Sequence, residues 1–272
     1  MKSDLRAQLR VKLDKLRHRG YVGEGVAKSL ISYFAVPKGE GDIRTVFDGT
    51  KSGLNGALFA PWFGLPTIDS MTRCLSSGYY CADNDVGEQF YNFPLHPELQ
   101  LYSGVDLTPL LELPGTACIE VWKRCVMGQK PSPFQAVRDT RRAKYASLGD
   151  PTALNNVFGW DKVVLNLPGS AHYCPSEPWI SKRTRDGHIA PDLIDYVNDN
   201  QVTGHDYETT WRASSHLAKY YSFLGLQDAT RKRRPPTLEP GPWAGCVVVT
   251  VDDRVCVTVT QERWDRTKAL IS

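Results

Sequence analysis

Three stretches carry residues whose types and spacing suit phosphoryl transfer. The first is Asp85-Val86-Gly87-Glu88-Gln89-Phe90-Tyr91. The second is Gly128-Gln129-Lys130-Pro131-Ser132-Pro133-Phe134. The third is Tyr196-Val197-Asn198-Asp199, flanked by the apolar Leu193, Ile194 and Val202. Phosphoryl transfer assisted by two Mg²⁺ ions needs carboxylates that converge from different strands on ions about 3.5–4 Å apart. An acid that ends a buried strand, Asp85, and an acid on the turn of a hairpin, Asp199, can supply them. A glycine between the two, Gly128, lets a nucleic-acid backbone come close, because it carries no Cβ.

Two alternatives stay open. The run from Val247 to Val255 also reads as strand, acidic turn and strand, and it keeps two acids, Asp252 and Asp253. By periodicity it is the better hairpin, and either pair can be the second acidic site. Asp83 is the other alternative. A pleated strand turns alternate residues to one side, so Asp83 and Asp85 can share a face, with Asp85 the favoured ligand. Other chemistry is poorly supported. The seven cysteines are thinly spread and odd in number, which predicts free thiols in a reducing compartment. Neither Cys74/Cys81 nor Cys118/Cys125 has zinc-site spacing. The six histidines pair with no Cys or Ser at a telling distance. Arg231-Lys232-Arg233-Arg234 reads either as a solvated basic loop or as a phosphate contact.

The elements that must position these residues follow from hydrophobic periodicity. Residues 3–19 read as a helix, with Leu5, Leu9, Leu13 and Leu16 on one face. The opposite face is basic: Lys2, Arg6, Arg10, Lys12, Lys15, Arg17 and Arg19, against Asp4 and Asp14. It is either a solvated face or one turned to phosphate, and Gly20 stops the helix. Residues 33–36 and 43–47 predict two strands around a turn, and 67–77 a short helix. Strand-like alternation runs over 78–105, then a strand over 116–126 and a helix from Pro133 to Tyr145. The Gly-, Pro- and Asn-rich stretch 148–191 reads as an insertion. Two strands at 193–203, a helix at 207–224, a hairpin at 246–259 and a helix from Gln261 complete the pattern.

The chain has 272 residues, 41% hydrophobic and 23% charged, too apolar for a disordered chain. Lys plus Arg is 33 and Asp plus Glu is 30, which excludes a histone-like chain carried by bulk charge but not local basic patches. No stretch approaches a membrane span, and the charged N-terminus lacks a signal-peptide core. The expectation is an intracellular protein, cytoplasmic or nuclear.

Taken in order, these motifs resemble a reverse transcriptase of retroelement origin. Asp85 with Phe90 and the run through Pro94-Leu95 is similar to polymerase motif A. Gly128 through Ser132-Pro133 is similar to motif B. Tyr196-Val197-Asn198-Asp199 stands where the family has Tyr-x-Asp-Asp, motif C. Lys38 and Arg44-Thr45-Val46-Phe47-Asp48, with Leu54-Asn55, resemble the fingers hairpin, and Trp243 to Val257 with Gln261-Glu262-Arg263 resembles the primer grip. Asp42-Ile43-Arg44 and Met127 to Pro133 are nearer to tyrosine-recombinase-type retrotransposons than to retroviruses.

The resemblance implies an α+β fold of fingers and palm, the palm an antiparallel sheet backed by helices. It divides the chain into 1–78 (helix and fingers), 79–240 (palm with motifs A, B and C) and 241–272 (primer grip and the start of a thumb). It implies RNA-directed DNA synthesis with two Mg²⁺ as cofactor, and a template-primer of RNA or DNA with deoxynucleoside triphosphates as partners. Asp85, Val86 and Asp199 would bind metal, and Asp85, Asn198 and Asp199 would form the catalytic set. Lys38 and Arg44 would neutralise the triphosphate, Phe90 would exclude a 2′-hydroxyl, and Gly128 would lie against the nucleic acid. The sequence departs from the family at Asn198, where the family has its first motif C acid. Asn carries no charge, so a rate loss of orders of magnitude is expected. With the chain stopping at Ser272, that predicts a decayed or truncated copy. The rivals are a template-primer binding module without chemistry and an unrelated two-metal nuclease.

Overall fold

A computed structural model describes residues 3–38, 42–111, 115, 117–251 and 254–271. The chain opens with α1 (Ser3–His18), β1 (Val22–Gly23), β2 (Ser32–Lys38), β3 (Asp42–Asp48) and α2 (Leu54–Ala57). α3 (Ile68–Thr72) and β4 (Tyr80–Asp85) follow. A 3-10 turn at Gln89–Asn92 leads to α4 (Pro97–Gln100), β5 (Gly104–Asp106), α5 (Thr108–Leu111), β6 (Ile119–Trp122) and α6 (Ser132–Leu148). Next come β7 (Lys162–Leu165), β8 (Ile180–Arg183), β9 (Asp192–Tyr196), β10 (Asp199–Gly204) and α7 (Tyr207–Phe223). A second 3-10 turn, Thr230–Lys232, precedes β11 (Arg234–Thr237), β12 (Gly241–Trp243), β13 (Cys246–Val251), β14 (Arg254–Val259) and α8 (Gln261–Ile271). Helices and antiparallel sheets make this an α+β protein. Among the described residues no helix is long and apolar enough to cross a membrane.

The chain forms two units, residues 1–63 with 88–138, and 64–87 with 139–272. The sequence reading cuts instead at 78 and 240. Core packing explains the difference in the second unit. Met71 and Leu75 pack with Tyr79, Ile194 and Trp243, and Val248 and Val255 lie against the same cluster. The segment after α2 and the hairpin β13–β14 therefore share one core with the strands that carry the acids.

In the first unit, Leu9, Leu13 and Leu16 of α1 are buried. Gly20 ends the helix at φ +68°, with Tyr21 N donating to the Leu16 carbonyl and Gly20 N to Arg17, a Schellman-type stop. Part of the basic face is consumed internally. Arg17 forks onto Glu120 at 2.6 and 3.1 Å, Arg19 pairs with Glu88, and Lys12 reaches the Ile43 carbonyl. β2 and β3 form the expected hairpin, Ser32 opposite Asp48 and Val36 opposite Arg44, and β1, β6 and β5 form a three-stranded sheet. Phe47 meets the edge of Trp122 at 4.7 Å between ring centroids. The alternation over 78–105 yields only β4 and β5, because Pro97 begins α4 with His96 as its cap. A proline is at home at a helix start and cannot donate within a ladder.

In the second unit the sheet order is β11-β4-β10-β9, with α7 packed on β4 and β10. Asp206 caps α7 by accepting from Thr209 N at 2.8 Å. Ala213, Leu217, Ala218 and Tyr221 form its buried stripe. Polar rungs also join helix and sheet. Asn84 donates to the Ser214 carbonyl at 2.9 Å and accepts from its hydroxyl at 2.7 Å, and Tyr221 donates to Asn200 at 3.1 Å. Asp195 on β9, buried, is held by Arg141 at 3.1 Å and by Lys144, both on α6.

Candidate functional site

The pleat decides which residues reach the site. Ala82 and Asn84 point toward α7, so Asp83 and Asp85 point the other way. β10 pairs with β4 so that Asp199 lies opposite Asp85 and Gln201 opposite Asp83. β9 and β10 are joined by the two residues Val197 and Asn198, with Tyr196 opposite Asp199. Val197 sits at φ +57°, a left-handed conformation rare for a β-branched residue and held only where its surroundings fix it. Those surroundings are visible. The Asn198 carbonyl accepts from Val86 N at 3.1 Å and from Asn200 Nδ2 at 3.0 Å. The Tyr196 ring packs against Trp243, with centroids 5.8 Å apart.

This geometry brings Asp85, Asn198 and Asp199 together. The Asn198 amide donates to one oxygen of Asp85. Asp199 is half-buried, and that burial, with Asp85 as a close like charge, raises its pKa to about 6 against the opposing pull of Lys232. The cleft has a volume of about 340 Å³, and its lining includes Asp83, Asp85, Asp199, Lys232, Arg234 and Trp243.

The basic run that reads as solvated or phosphate-bound is in large part paired within the fold. Lys232 binds the second oxygen of Asp85, Arg234 binds Asp83 at 2.6 Å, and Arg233 binds Asp228 at 2.5 Å. Asp83 also accepts from Gln201 at 3.1 Å. The sequence does not single out these partners, because Arg231 to Arg234 are four consecutive cations with no alternation between them.

The remaining site residues lie in the first unit. Lys38 closes β2, but its side chain falls outside those described. Arg44 is exposed on β3, and Phe90 is half-buried on the first 3-10 turn. Gly128 has φ +107°, and a Cβ there would run into the Phe47 carbonyl. Its close approach is thus to the protein's own backbone. Asn55 fixes this loop, donating to the Gly128 carbonyl and accepting from Lys130 N, each at 2.9 Å. The alternative acids Asp252 and Asp253 lie outside the described residues, between β13 and β14.

A pair of Mg²⁺ ions fits these residues poorly. One Asp85 oxygen is taken by an amide and the other by an ammonium, and Asn198 adds no charge. Among the described residues no group of three or more His, Cys, Asp or Glu is placed to hold a metal.

No protein-family model matches the chain, and no curated protein matches it in sequence. Solved structures do match in fold. The foamy viral protease-reverse transcriptase dRH in complex with double-stranded DNA aligns with a TM-score of 0.67 at 14% identity, over 98% of this chain and 37% of that one. The foamy viral protease-reverse transcriptase with an RNA/DNA hybrid gives 0.63 at 13% identity, over 98% and 28%. Its complex with double-stranded DNA gives 0.62 at 14%, over 98% and 44%. The chain therefore has a reverse-transcriptase-like α+β fold, and it spans less than half the length of these neighbours.

Proposed function

We propose that this chain is a polymerase-like protein of reverse-transcriptase type that binds a template-primer of RNA or DNA, and whose own nucleotidyl transfer is weak or absent. The observation that carries this reading is the meeting of Asp85, at the end of β4, with Asn198 and Asp199 at the β9–β10 turn, within a fold like that of nucleic-acid-bound reverse transcriptases. In the chemistry of such enzymes a primer 3′-hydroxyl attacks the α-phosphate of a deoxynucleoside triphosphate and displaces pyrophosphate. Two Mg²⁺ ions supply charge neutralisation and Lewis acidity when bound. Asp85 and Asp199 are the carboxylates this chain offers, with Val86 beside them. Lys38 and Arg44 are assigned to the triphosphate, Phe90 to the sugar and Gly128 to positioning the 128–130 loop. Asn198 is the reason for impaired transfer, since it replaces a charge with an amide that ties up Asp85. A retroelement origin inside the cell, of the tyrosine-recombinase type, is part of the same proposal and rests on the wording of residues 42–44 and 127–133.

Primer extension on a primed RNA template, alongside fluorescence anisotropy on the same template, tests this. The wild-type chain is expected to bind yet extend the primer barely above background. Asn198→Asp should raise extension, and Asp85→Ala added to it should abolish the gain. Failure of the wild-type chain to bind the template would overturn the proposal, and robust extension by it would show that the site is not impaired.

A further inference from the structure

We propose that Lys232 is the resident cation of the acidic site: its ammonium takes the place beside Asp85 that a divalent ion would need, and holds the site closed to such ions. The inference rests on the reading above and concerns the same carboxylates.

Lys232 is placed by the backbone rather than by chance. The segment before it is tied to the end of β4 at three successive points. Ala229 N donates to the Asp85 carbonyl at 3.0 Å, Val86 bridges to Asp228, and Gly87 N donates to the Gln227 carbonyl at 2.7 Å. The 3-10 turn then closes with Lys232 N on the Ala229 carbonyl at 2.8 Å. Thr230 Oγ1 and Arg233 both bond to Asp228, at 2.8 and 2.5 Å. Two residues beyond Lys232, Arg234 enters β11 opposite Asp83. With its Cα fixed between these ties, Lys232 reaches the sheet and meets Asp85, whose carboxylate is only 9% exposed while the lysine side chain is 48% exposed.

The cations offset most of the acidic charge. Asp83, Asp85 and Asp199 line the cleft with Lys232 and Arg234, so one negative charge is left over. A close ammonium repels an incoming dication and occupies the oxygen it would use. Lys232 carries half its surface to solvent, so its removal leaves little packing to repair.

The test is Mn²⁺ binding, followed by electron paramagnetic resonance, on the full chain without nucleic acid. Wild type and Lys232→Arg should both bind weakly. Lys232→Met should bind about tenfold more tightly or better, the order expected when a contacting like charge is removed from a partly screened site. Lys232→Met with Asp85→Asn should return to weak binding. Far-UV circular dichroism checks the fold, and Mn²⁺ should raise the thermal midpoint of Lys232→Met but not of wild type. Equal Mn²⁺ affinity in wild type and Lys232→Met, or a gain in Lys232→Arg as large as in Lys232→Met, would overturn the inference. Template-primer affinity is a separate measurement, so its absence would sink the functional reading without touching this result.

Discussion

At Asp199, burial and a neighbouring carboxylate act in the same direction. Its pKa of about 6 lies above the ordinary value of 3.8, so between these pH values the folded chain binds a proton that the unfolded chain has lost. Stability from this residue is therefore present at low pH and declines as pH rises from about 4 to 6. In metal-free buffer, Asp199→Asn should stabilise the fold at pH 7.5 by about 1–2 kcal/mol, discounted because the group is only half-buried. The gain should vanish near pH 4. Denaturant melts of both proteins across that range check this, and an equal gain at both ends would refute it. The meeting of Asp85 and Asp199 was legible in the sequence because one acid ends a strand and the other sits at a tight hairpin turn. Lys232 was not, because its position depends on β11. That strand reads Arg234-Pro235-Pro236-Thr237, and two prolines disguise any strand pattern; such a segment is tolerated only at a sheet edge, which is where β11 lies.

At the scale of elements, α7 is fixed on the sheet by polar rungs as well as by its apolar stripe. Ser214 is fully buried and completes both hydrogen bonds of the Asn84 amide. Ser214→Ala removes the hydroxyl that donates to Asn84 and leaves a buried carbonyl oxygen unpaired, at a cost of about 1–3 kcal/mol. Urea denaturation should show that loss with an unchanged m-value. A change below a few tenths of a kcal/mol would mean that the rung carries no weight. Helices α1, α6 and α7 and the hairpins β2–β3, β9–β10 and β13–β14 all follow from periodicity in the sequence. The short pieces at 89–106 do not. There the apolar residues alternate as in a strand, while Phe93 pairs its backbone with Cys125, a partner remote in the chain, and Pro97, capped by His96, starts a helix.

For the whole molecule, a net charge of +3 says little, because many cations are already paired. Arg10, Lys15 and Arg44 are exposed and have no acidic partner among the described residues, so they are among the cations left for phosphate. Template-primer affinity should fall steeply with salt, with a log-log slope of about −3 if these three make contact. Alanine at any one of them should reduce the slope by about 1. Affinity independent of salt between 50 and 200 mM, about the range over which such contacts weaken most, would exclude them.

The position of β4 in the sheet has a consequence for synthesis. Both of its neighbours come much later in the chain, β10 at Asp199–Gly204 and β11 at Arg234–Thr237. At ribosomal speed β4 therefore spends on the order of ten seconds with neither edge paired. A bare strand is a template for association with other nascent chains, and charges along it are the usual deterrent. Asp83 and Asp85 are those charges, so before either acid has a partner in the fold it acts as a gatekeeper, and uncharged replacements should lower soluble yield as well as alter the finished site.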